Sequence, residues 1–135
     1  MKDILLSTEM RLLVYSAFLC IVMWMPYILM GIGRFGLVRM VSYPAPSYGE
    51  LPQWTQRLYR AHLNLVENLA AFAVLVIVAQ LTGSLNEMTE LGARLFFWGR
   101  LVQVAGHTAG IPFVRTLAFF VGTAGMIIIF LQIVT

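Results

Sequence analysis

The chain has 135 residues, of which 60% are hydrophobic and 11% charged, with a net charge of +3 and mean hydropathy +0.84. Soluble domains of this size carry about 25% charged residues, so the composition excludes an ordinary soluble domain and points to one integral membrane domain. One cysteine, Cys20, rules out an internal disulfide and paired-cysteine metal sites. The small positive charge gives no reason to expect a nucleic-acid partner.

Residues 1–11 are a short polar lead with Lys2 and Arg11. The first apolar stretch exceeds the 7–15 residues of a signal peptide and has no small-x-small cleavage site after it, so it reads as a retained span. Four spans are expected, over residues 12–32, 57–81, 91–110 and 115–134. Each is close to the ~20 residues that a hydrocarbon core of about 30 Å requires. All of 1–135 is then a single all-α, four-helix membrane domain.

Pro26 falls late in the first span, where it removes a backbone donor. Residues 31–56 form the only long connection. It is punctuated by Gly33, Gly36, Pro44, Pro46, Gly49 and Pro52 and charged by Arg34 and Arg39, the pattern of a functional loop or lid. Tyr43, Tyr48, Trp54 and Tyr59 suit a membrane–water interface. Residues 82–90 make a short turn with Glu87 and Glu90, and Gly110-Ile111-Pro112 a tight one. Gly106 with Gly110, and Gly122 with Gly125, mark close helix packing. With four spans, Lys2, Arg11 and Arg94 lie on one side, and Arg34, Arg39, Arg57, Arg60 and Arg115 on the other. The positive-inside rule puts the long loop and the 3–4 turn in the cytoplasm and the termini outside.

The second span opens with RAHLNLVENLAAF, residues 60–72. On a helix Arg60, Asn64 and Glu67 fall at i, i+4 and i+7, with Asn68 beside them. In the third span Arg100, Gln103 and His107 form a second stripe. Glu67 lies ~10 Å deeper than Arg60, and Arg100 is as far beyond His107, so antiparallel spans bring Glu67 and Arg100 to one depth. Unpaired, Arg60, Glu67 and Arg100 cost on the order of 8–10 kcal/mol in a bilayer. A Glu67–Arg100 ion pair is therefore expected, leaving surplus arginine to attract an anion. His62, half a turn away, reads as a packing residue. No nucleophile triad, phosphate loop or metal-ligand pattern occurs, and two histidines make a metal site improbable.

RAHLNLVENLAAF, the third span, and GIPFVRTLAFFVG after it resemble the membrane-associated proteins in eicosanoid and glutathione metabolism, the MAPEG family, especially its bacterial members. The resemblance covers the second to fourth spans. It implies a homotrimer in a bacterial inner membrane with a glutathione site between subunits, and no metal. The activity implied is a glutathione-dependent transferase or peroxidase acting on a small lipophilic electrophile. By that resemblance Arg60, Asn64, Glu67 and Arg100 bind the peptide and Arg115 stabilises its thiolate. A thiol of pKa ~8.5 is mostly protonated at pH 7, so a neighbouring arginine activates it. Many relatives carry Arg-x-x-His-x-x-x-Tyr on the third span, where this chain has Arg100, Gln103 and His107. Both replacements can still donate hydrogen bonds to the peptide. Two alternatives are a non-catalytic lipid- or anion-binding scaffold and a small proton-coupled exporter. An exporter needs a carboxylate free to titrate, which the expected Glu67–Arg100 pair argues against.

Overall fold

The computed structural model describes residues 6–135, without the Tyr48 side chain. Lys2, which entered the charge count above, and the Tyr48 ring, placed at the interface above, lie outside the described residues. The described fold is all-helical. Four long helices, α1 (Thr8–Phe35), α3 (Gln53–Leu81), α4 (Glu87–Ala109) and α5 (Pro112–Val134), are accompanied by the short α2 (Leu37–Met40) and a 3-10 turn over Tyr48–Glu50. The last two stand in the long connection. Three helices, α1, α3 and α5, are long and apolar enough to cross a membrane.

Each long helix begins a turn before its expected span, and in α1 and α4 a side-chain cap starts it in a polar turn. Ser7 caps α1 through the Met10 amide. Asn86 caps α4 in a capping box with Thr89, and Pro112 stands in the first turn of α5. α1 runs unbroken through Pro26, which leaves the Val22 carbonyl without its helical donor. α4 ends at Gly110, whose φ of 79° is the left-handed conformation that glycine adopts without strain.

α1 packs on α3 and α4, α3 on α4 and α5, and the α4–α5 hairpin is the tightest contact. The core is apolar and partly aromatic: Phe72 of α3 stacks on Phe96 of α4 with centroids 3.9 Å apart, beside Leu65, Val76 and Ile129. At the end opposite the long connection, polar bonds tie the helices. Ser7 donates to Gln80, Thr89 to the buried Glu9, and Asn86 to Gln132.

The α4–α5 contact rests on a seven-residue glycine repeat. A Cβ on Gly92 would stand 2.5 Å from the Gly125 carbonyl oxygen, and one on Gly99 3.0 Å from the Gly122 amide. Backbone meets backbone there, so added bulk has nowhere to go. Gly92→Val and Gly125→Val should each destabilise the protein by about 1–3 kcal/mol or more. Thermal unfolding in detergent measures this, against a Gly33→Val control, since Gly33 has open space around it.

Candidate functional site

The second and third helical stripes meet in a buried polar knot. Arg100 is only 1% exposed. Its Nη1 donates to Gln103 Oε1 at 2.9 Å and to Asn64 Oδ1 at 3.5 Å, and Gln103 Nε2 donates to the same Asn64 oxygen at 3.0 Å. Asn68 Nδ2 donates to the Asn64 backbone carbonyl at 2.8 Å, holding that turn of α3 in place. The guanidinium carbon lies 5.2 Å from the Phe96 ring centroid and 4.7 Å from that of Phe119. Aromatic faces stabilise a desolvated cation by up to about 2 kcal/mol. Gly122 makes the room, since a Cβ there would stand 3.1 Å from Arg100 Nε. Arg100 Nε and Nη2 remain buried without a partner.

The Glu67–Arg100 ion pair does not form. The Asn64–Gln103 bond and the Phe72–Phe96 stack show the antiparallel register that counting predicts, so the depth is right. The azimuth is not. Leu65, Phe72 and Val76 turn into the core, and Glu67 sits two residues past Leu65, about 160° round the helix. Its carboxylate therefore faces outward, exposed beside Val66, Ala70 and Ala71, with Arg60 on the same side. Among the described residues the ion pair recorded is Arg94–Glu90, on the surface of α4. Amides and aromatic rings, not a carboxylate, surround Arg100.

Nearer the long connection the bundle opens. A cavity of about 190 Å³ is lined by Arg57 of α3, His107 and Gly110 at the end of α4, and Arg115 in the first turn of α5. Arg57 Nε donates to the Thr108 carbonyl at 2.9 Å, joining α3 to the α4–α5 turn. His107 Nδ1 is buried without a partner. A second cavity, about 260 Å³, is lined by Asn64, Gln103, Arg115, Thr116, Phe119 and Phe120. Arg115 belongs to both. One side of it is cationic, the other amide and aromatic.

The structure thus gathers Asn64, Arg100, Gln103, His107 and Arg115 at one end of the bundle, and leaves Arg60 and Glu67 on the outer face of α3. Arg57, Thr116 and the Phe119 ring escaped the sequence reading as members of the site. Arg57 precedes Arg60 by three residues, so helical spacing was the signal for it. His62 packs, as its position implied: its Nδ1 lies 2.6 Å from Tyr27 Oη and its Nε2 3.5 Å from Cys20 Sγ, fastening α3 to α1. Tyr27→Phe should cost about 1 kcal/mol in unfolding free energy, read from denaturant titration in detergent. Among the described residues no three His, Cys, Asp or Glu side chains cluster as a metal site would need.

An all-helical bundle with three membrane-length apolar helices and a cationic cavity at one end defines a helical membrane protein. The sequence model of the MAPEG family matches residues 12–135, and the chain belongs to that family. A search of curated proteins finds no match.

Proposed function

We propose that the protein is a membrane-bound, glutathione-dependent transferase or peroxidase, working on a lipophilic electrophile as a homotrimer of four-span subunits. Membership of the family fits glutathione-related chemistry in a membrane. The observation that carries the reading is the position of Arg115 between two cavities, one with Arg57 and His107 and one with Asn64, Gln103 and the Phe119 and Phe120 rings. An anionic peptide suits the cationic and amide groups of both, and the Phe119 and Phe120 rings of the second suit an apolar co-substrate arriving from the bilayer.

In this reading α4 is the fourth span. It has 23 residues, about 34 Å, and its most polar buried members, Arg100 and Gln103, turn inward. The long connection and the α4–α5 turn lie in the cytoplasm, with a bacterial inner membrane as the setting. Arg60, Asn64, Glu67, Arg100, Gln103 and His107 bind and orient the peptide, and Arg115 favours its thiolate. In conjugation the sulfur bonds to the electrophilic carbon, the leaving group departs with its electron pair, and the thiol proton passes to solvent. Outward-facing Arg60 and Glu67 support the trimer. An unpaired carboxylate on lipid costs about 3 kcal/mol, a cost that a neighbouring copy removes.

Purified protein should bind glutathione in calorimetry and conjugate it to an aryl halide. Absence of both overturns the reading. A scaffold that holds lipid in the same cleft would keep the lipid and show no turnover. The exporter reading regains one argument, because Arg100 does not pair with Glu67. Glu67 lines neither of the two cavities described above, however. Proton release on adding a cationic drug to proteoliposomes would reverse that judgement.

A further inference from the structure

We infer that Arg57 is an oxyanion-binding residue of this site, closing with His107 and Arg115 a clamp for the carboxylate of a thiol peptide. The inference rests on the function proposed above and adds a residue to it.

Arg57 stands in the first turns of α3, half-buried, and spends one donor on structure: Nε to the Thr108 carbonyl at 2.9 Å. Its guanidinium passes close to Gly110, where a Cβ would come within 3.1 Å of Cζ and 3.2 Å of Nε. The Thr108 bond and the space left by Gly110 together hold the group against the α4–α5 turn. Its terminal nitrogens make no hydrogen bond within the described residues, and they are not buried. They are free to face the cavity that Arg57 lines.

Arg115 and His107 line the same cavity, so basic side chains from α3, the end of α4 and the first turn of α5 border it, and no carboxylate does. A preorganised guanidinium fork matches a carboxylate or phosphate in bidentate fashion, which a lysine does not. The same chemistry would take the carboxylate of a peptide or the phosphate of a lipid headgroup.

The test measures binding in detergent to wild type, Arg57→Gln and Arg57→Lys, using glutathione and its two mono-amides. Arg57→Gln should weaken glutathione about 10–100-fold, with Arg57→Lys in between. One mono-amide should bind wild type weaker by the same factor and lose nothing further on Arg57→Gln. Unchanged glutathione affinity in Arg57→Gln overturns the assignment. So does an equal loss for the acid and both amides, which marks a structural role.

If wild type binds no glutathione, the functional reading fails, and inorganic phosphate and lipid then decide the clamp. A phosphate-induced rise in melting temperature in wild type, absent in Arg57→Gln, supports it; equal responses overturn it. Phosphatidylglycerol that co-purifies with wild type and is lost from Arg57→Gln identifies a headgroup as the source of the oxyanion.

Discussion

Arg115→Ala should lower the rate of glutathione conjugation by about 10²–10³-fold, the loss expected when one preorganised charge donor is removed from a reacting centre. The side chain is half-buried in the first turn of α5, where its charge adds to the positive end of the helix dipole. It borders both cavities, so its guanidinium stands where a peptide thiol and an apolar partner would meet. Affinity separates activation from simple binding. S-hexylglutathione, which has no free thiol, should lose much less affinity in Arg115→Ala than kcat loses in turnover. A scaffold would give a different pattern, with lipid retained and no turnover in either protein. Arg115→Lys should recover part of the rate, since it restores the charge without the planar fork.

Most of the fold was legible because hydrocarbon thickness fixes helix length. Three of the four expected spans fall on helices long and apolar enough to cross a membrane, whereas the one over 91–110 falls on α4, which is not among them. Helix starts were displaced by three or four residues, since the first turns at Thr8, Gln53, Glu87 and Pro112 are polar or interrupted. The depth of the polar stripes was also legible, because rise per residue is constant and an antiparallel register follows from one short turn. Rotation about the helix axis was not. It is set by which side chains pack: Leu65, Phe72 and Val76 turn α3 so that Asn64 meets α4 while Glu67 looks away. A stripe spanning i to i+7 is wide enough to straddle a core face and an outer face. The repeat of Gly92, Gly99 and Gly106 was present in the sequence, yet its meaning depends on Gly122 and Gly125 lying opposite. Spacing puts Arg57 one turn before Arg60, but its bond to Thr108, like that of Tyr27 to His62, joins distant segments, which spacing within one helix does not encode.

Glu67→Leu tests the assembly, because two environments predict opposite signs. If a neighbouring copy covers the outer face of α3, the carboxylate meets a cation there, and its loss leaves that cation buried and unpaired. Breaking such a pair costs about 3–5 kcal/mol, so the variant should shift from trimer toward smaller species in native mass spectrometry and size-exclusion light scattering. If lipid covers the face, replacing a carboxylate by leucine removes a penalty of about 3 kcal/mol. The variant would then be more stable, with an unchanged oligomer. Arg60 sharpens the comparison, since it shares the exposed face of α3 and lies ~10 Å along the axis from Glu67. A guanidinium at that distance reaches the carboxylate of an adjacent copy when both side chains extend toward each other. Arg60→Leu should then weaken assembly as Glu67→Leu does, and the double variant should lose little more than either alone, because both remove the same contact.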